Sequence, residues 1–236
     1  MSMKAEEMAL VQGWDDTRAA LREWRARPAR PLIGWSLGSL ATAVLLLTAT
    51  WVVALLAVPD PSGVFFPGLY FPSNIGDYGF VLYRNGLVLA LHGMACIAGF
   101  MAGSSLPKVA LGHSGAWRWI HDKAGPLAIA FVIGATLFSL TTQAYALGHA
   151  ASTLAARLEV SPALLLLALS PHALPELFAL FLPLAAWTLA SRRKAWNELL
   201  AATFVTVIIA VPIILVAAAI EVWLTPRLLL WLTPVI

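Results

Sequence analysis

The sequence predicts an all-α protein, a polytopic membrane helical bundle of about five transmembrane helices with the fourth broken by prolines, preceded by an N-terminal amphipathic helix. Three observations lead there. Of 236 residues, 60% are hydrophobic and 11% charged, and the mean hydropathy of +0.82 exceeds what a water-soluble domain carries. Apolar runs recur at lengths that cross a bilayer, about 20 residues at 1.5 Å rise each. The basic residues gather on alternate connecting segments.

Residues 5–27 read as an amphipathic helix, with Leu10, Trp14, Leu21 and Trp24 on one stripe and Asp15, Asp16, Arg18, Arg22, Glu23 and Arg25 elsewhere. Pro28 and Pro31 are expected to separate it from the first span. This divides the chain into a cytoplasmic interfacial segment, 1–31, and a five-span membrane domain, 32–236. Four uninterrupted apolar runs cover roughly 32–58, 82–106, 125–149 and 198–224. The stretch 161–190 carries Pro162, Pro171, Pro175 and Pro183. It is expected to form a short apolar or re-entrant piece at 162–170, then a spanning helix over about 172–190.

The loop 59–81 is rich in Pro, Gly and aromatic residues, and is expected to fold back on the membrane surface through Phe65, Phe66, Tyr70 and Phe71. The segment 107–123 carries Trp117 and Trp119 beside Arg118 and Lys123 and reads as an interfacial anchor or a partner's docking strip.

With five spans and the N-terminus inside, twelve of the fifteen basic residues fall on the cytoplasmic side, all but Arg84, Arg157 and Arg227. The expected orientation is therefore N-terminus cytoplasmic and C-terminus outside. The net charge of +3 then reflects sidedness and contact with anionic lipid, with no motif for nucleic acid. The single cysteine, Cys96, excludes an intrachain disulfide and a cysteine-based zinc knuckle. Without a P-loop, GxSxG or GxGxxG in suitable surroundings, neither ATP binding nor serine-hydrolase chemistry is supported, and no cofactor is expected. Small residues mark close helix approaches: Gly34 and Gly38 on the first span, Ala95, Gly99 and Gly103 on the second. Packing within the bundle is one use; a homo-oligomer seam is the other.

Depth organises the remaining polar residues. Arg84 and Asn85 open the inward-running second span, with His92 about 10 Å deeper. Gln143 closes the outward-running third, His172 and Glu176 open the fourth, and Glu221 is near the end of the fifth. Arg84, Asn85, His92, Gln143, His172, Glu176 and Glu221 are thus expected in one outer layer, because an unpaired charge in hydrocarbon costs at least about 2.5 kcal/mol. His172 and Glu176 are four apart and share a helical face.

Three uses stay open for this layer. It is a structural network, a site handling protons, ions or substrate, or a metal-dependent hydrolase site drawing on His172, Glu176 and Glu221 or His92. The last lacks an HExxH and its general base, so no catalytic residue and no metal ligand is assigned. His113, His121 and His149 fall in loops or at span ends.

The segment SPHALPELFALFLPLAAWTLA resembles the hallmark of the stage II sporulation protein M family, roughly P-H-G-x-x-E-x-x-A, through Pro171, His172, Glu176, Ala179 and Ala185–Ala186. Upstream, YRNGLVLALHGMACIAGFMAG is similar through Asn85, Gly99 and Gly103; downstream, LVAAAIEVWLTPRLL is similar through Ala218, Glu221, Thr225 and Pro226. The likeness covers about 80–226. Ala173 and Trp187 stand where the family commonly has glycine, and Pro175 is not typical of it.

The resemblance implies a bacterial membrane subunit working with other proteins. Family members are associated with a peptidoglycan-remodelling complex of spore formers, with ATP-binding transport components, and with maturation of circular bacteriocins. The expected function is a scaffold or permease-like subunit of a cell-envelope or export complex. The alternatives are an intramembrane metal-dependent hydrolase or peptide-processing factor using His172, Glu176 and Glu221, and an ion- or proton-coupled transporter.

Overall fold

A computed structural model describes residues 3–60, 66, 68–69, 71–105 and 114–232. Among them helices dominate and no strand occurs. In chain order these are α1 (Met3–Ala26), α2 (Ala29–Leu56), α3 (Ile75–Phe100), α4 (Gly115–Arg157), α5 (Pro162–Arg193), α6 (Leu199–Ala219) and α7 (Thr225–Leu232). A π-helical turn, Met101–Ser105, extends α3; a second, Ile220–Leu224, joins α6 to α7. Five helical segments are long and apolar enough to cross a membrane: Ala29–Leu56, Ile75–Ser104, Ile129–Arg157, Pro162–Arg193 and Trp196–Leu232. Leu45, Phe131, Phe138 and Trp231 are among the exposed large apolar side chains, a distribution suited to lipid contact.

Local chemistry explains several boundaries. Asn74 caps α3 by accepting from the backbone N–H groups of Gly76 and Asp77 at 2.7 and 3.2 Å, while Asp77 accepts from the Asn74 N–H at 2.9 Å. This reciprocal box starts α3 well before the expected 82 and turns the end of the 59–81 loop into helix. Phe66 packs partly buried against a core cluster and Phe71 is exposed; Phe65 and Tyr70 lie outside the described residues. Ser161 caps α5, its Oγ accepting from Leu164 N–H at 3.2 Å, with Pro162 in the first turn, where its missing N–H costs nothing.

Both α4 and α5 end in Schellman turns. Val160 N–H reaches Ala155 O (3.0 Å) and Glu159 N–H reaches Ala156 O (3.3 Å); Ala195 and Lys194 repeat this onto Ala190 and Ser191 (2.9 and 3.2 Å). Glu159 and Lys194 therefore adopt φ of 54° and 57°, where glycine is usual.

The break expected in the fourth span is not there. Residues 162–193 form one continuous α-helix that includes Pro171, Pro175 and Pro183, with no separate re-entrant piece at 162–170. Pro171 deprives Leu167 of its helical donor, and the Ser170 hydroxyl donates to that carbonyl instead at 2.7 Å. Likewise α4 begins at Gly115 and passes His149, so much of the expected 107–123 connection is helical. Trp119 is exposed there; His113 lies outside the described residues, and the side chains of Trp117 and His121 are not described.

The chain resolves into two compact units, and the long helices contribute to both. In the first, Met1–Ser39, Val88–Thr136 and Phe181–Ala210, Cys96, Phe100, Trp187, Ala190 and Leu199 form a buried cluster, and Cys96 donates to Pro183 O at 3.2 Å. A Cβ on Gly99 would lie 2.7 Å from Trp187 Nε1, and one on Gly38 would lie 3.2 Å from Ala185 Cβ. A Cβ on Gly34 would lie 3.2 Å from Leu189 Cδ1 and one on Gly103 would overlap the Trp196 ring, while Ala95 is half-buried. Trp187 is thus accommodated by the absent side chain of Gly99.

The second unit is Leu40–Leu87, Leu137–Leu180 and Val211–Ile236. Its core gathers Ala54, Leu69, Ala151, Leu154, Leu165 and Leu229. Gly148 lets α4 close on α2, since a Cβ there would overlap Val53 and lie 2.9 Å from Thr50 O.

Candidate functional site: a polar cavity in the helical bundle

The second unit holds a partly open cavity of ≈ 240 Å³, room for several waters at roughly 10–15 Å³ each on the same measure. Most of its wall is apolar, supplied by Leu47, Phe66, Val81, Leu147, Leu154 and Leu169. Set into that wall are Thr50 from α2, Arg84 and Asn85 from α3, His172 and Glu176 from α5, and Glu221 from the π-turn. Five of the seven polar residues singled out in the sequence therefore meet at one cavity. The other two do not line it. The His92 ring lies 5.7 Å from that of Phe181, within the first unit, and Gln143 Nε2 donates to Ser139 Oγ one turn back on α4 at 2.9 Å.

His172 is buried and its Nδ1 lies 2.8 Å from Thr225 Oγ1, a hydroxyl with no exposure at all. This bond orients the imidazole and fixes which nitrogen is left for other partners. Glu221 occupies a π-turn, where Thr225 N–H bonds to Ile220 O; the wider helix shifts the register of side chains that follow, and such turns recur at functional sites. Pro226 cannot donate to Val222 O, which accepts from Ser73 Oγ at 2.6 Å instead. Gly68, at φ 78°, allows this approach, because a Cβ would overlap Ser73 Oγ and Pro226.

Electrostatically, Glu176 interacts with Glu221, Asn85 and Arg84, and Glu221 with Arg84 as well. The Arg84 guanidinium also lies 5.8 Å from the Phe80 ring centroid. Two carboxyls thus face one guanidinium. Asn85 comes near enough to interact with the Glu176 carboxyl, yet Asn85 Nδ2 and Glu176 Oε2 are both buried without a hydrogen bond of good geometry, as is Thr50 Oγ1. Three unsatisfied buried polar atoms on one cavity are unusual, because each costs about 1–3 kcal/mol unless something in the cavity answers it.

Among the described residues no group of three His, Cys, Asp or Glu side chains is arranged to hold a metal ion. His172, Glu176 and Glu221 share the cavity without forming such a set. Thr50 is the polar lining residue that sequence reasoning missed; a threonine in an apolar helix carries no signal until its neighbours are known.

Five apolar helices and a partly open cavity with ionisable groups set into an apolar wall define the class: a multi-pass helical membrane protein with an ionisable interior. Residues 116–226 match the family model described as Stage II sporulation protein M, bearing out the resemblance. The match holds His172, Glu176, Glu221, Thr225 and Pro226, and begins downstream of Asn85, Gly99 and Gly103. No curated protein and no solved structure matches the chain.

Proposed function

We propose that this chain is a permease-like subunit of a multi-protein cell-envelope or export complex, and that the cavity at Glu176 is its site for a cation or a small polar substrate. One observation carries the reading: Thr50, Asn85 and Glu176 line the same cavity, and Thr50 Oγ1, Asn85 Nδ2 and Glu176 Oε2 are left without a hydrogen bond of good geometry. A network that served only to hold helices in register would satisfy its members internally, because a half-satisfied network is worse than an apolar core. Two carboxyls beside one guanidinium further give such an occupant both acceptors and a donor.

The basic-residue distribution favours a cytoplasmic N-terminus and an external C-terminus in a bacterial cytoplasmic membrane, with α1 on the cytoplasmic face available to partner subunits such as an ATP-binding transport component.

The test is thiol accessibility in intact vesicles. In a Cys96→Ala background, Ala173→Cys should react with a membrane-impermeant maleimide, and Glu176→Gln should change the rate. Reaction only after denaturation would show a dry, closed bundle and overturn the reading. Deleting residues 5–27 should strip co-purified subunits while leaving cavity labelling unchanged; partners retained in full would remove α1 from the proposal.

A further inference from the structure

The first unit holds a second cavity of ≈ 380 Å³ with different chemistry. It lies where α1 turns into α2, and its size falls in the roughly 300–1,000 Å³ range of ligand pockets. Arg27 and Arg30 reach it from the elbow itself, where Arg27 N–H bonds to Trp24 O (3.1 Å) and Arg30 N–H to Arg27 O (3.3 Å). Arg193 joins them from the last turn of α5. Trp24 and Trp35 close the apolar side as an edge-to-face pair, centroids 5.1 Å apart and planes at 82°. Glu23 and Glu198 complete the polar lining; Glu198 feels both Glu23 and Arg193.

We infer that this cavity binds the phosphodiester headgroup of an anionic phospholipid, with Arg27, Arg30 and Arg193 on the phosphate oxygens and Glu23 and Glu198 accepting from headgroup hydroxyls. Three arginines against two glutamates leave one positive charge, which a phosphodiester monoanion neutralises. Guanidinium groups pair bidentately with phosphate oxygens. A lipid fits better than free phosphate for two reasons. The cavity sits at the polar end of a helix long and apolar enough to span, which is headgroup depth, and paired tryptophans characterise that depth. Its other wall, Pro31, Leu189 and Ala186, is apolar and suits the start of an acyl chain.

The inference stands apart from the Glu176 cavity, and its test reads binding alone. Full-length protein in mild detergent is titrated with dioleoyl phosphatidylglycerol or dioleoyl phosphatidylcholine, and retained lipid is counted by native mass spectrometry. Phosphatidylglycerol should be retained at about tenfold lower concentration, and Arg27→Gln/Arg30→Gln/Arg193→Gln should abolish that preference. Arg22→Gln/Arg25→Gln, on α1 but outside the cavity, should leave it intact. Should the triple variant not fold, Arg30→Gln alone, at an exposed position, should still weaken retention severalfold. Equal retention of the two lipids, or equal loss in the Arg22/Arg25 variant, would overturn the site. Displacement of the lipid by millimolar glycerol 3-phosphate would overturn its assignment to a lipid headgroup.

Discussion

Removing the imidazole at position 172 tests how the cavity is built. His172 Nδ1 and Thr225 Oγ1 lie 2.8 Å apart, 53 residues separate in sequence, with exposures of 7% and 0%. Either single change, His172→Leu or Thr225→Val, leaves the other partner's polar atom buried without that bond. In water-soluble proteins an orphan of this kind costs about 1–3 kcal/mol. In membranes the unfolded reference also finds partners, so interhelical hydrogen bonds average about 0.6 kcal/mol and reach about 1.7. Near-complete burial of both groups places this pair in the upper half of that range, a coupling of about 1 kcal/mol. The assay is a double-mutant cycle, with unfolding in mixed micelles followed by loss of helical circular dichroism. The double variant should be less destabilised than the sum of the singles by that amount. Additive effects to within about 0.3 kcal/mol would refute the bond as an energetic link, and with it the oriented imidazole.

Three further outcomes follow from the packing. Gly148→Ala should destabilise by about 1–3 kcal/mol, because its Cβ meets the Thr50 carbonyl as well as Val53; Val53→Ala in the same chain should restore only part, as chemical unfolding will show. Ser170→Ala should cost about 0.5–1.5 kcal/mol by stranding Leu167 O, and almost nothing once Pro171→Ala returns an N–H to that carbonyl. Lys194→Gly should stabilise by about 0.5–1 kcal/mol, since φ of 57° suits glycine, and a lowered unfolding midpoint would contradict that.

Particular residues show how far the sequence could be read. The helical class, the number of spanning segments and the amphipathic start were legible because each rests on local composition and length, which the bilayer converts directly into structure. The proline-broken fourth span was misread. Whether a proline interrupts a helix depends on whether its orphaned carbonyl finds a donor, and Ser170 supplies one at Leu167. The early start of α3 turned on Asn74 and Asp77 meeting as a capping pair, a signal present in the sequence but outweighed by the surrounding loop composition.

Depth reasoning placed Arg84, Asn85, His172, Glu176 and Glu221 together, because the cost of isolated polar groups in hydrocarbon forces them inward wherever they occur. It grouped with them His92, which is seven residues past Asn85 on α3 and falls in the first unit. It could not separate Gln143 from them, because depth says nothing about which way round a helix a side chain points. That rotation, like the contact of Gly148 with Thr50 and of His172 with Thr225, comes from packing between segments distant in the chain. Sequence alone therefore determined that the protein enters the membrane and which groups must be sheltered there. Tertiary packing decided which of them share a cavity, since only the mutual rotation of the helices makes neighbours of residues at the same level.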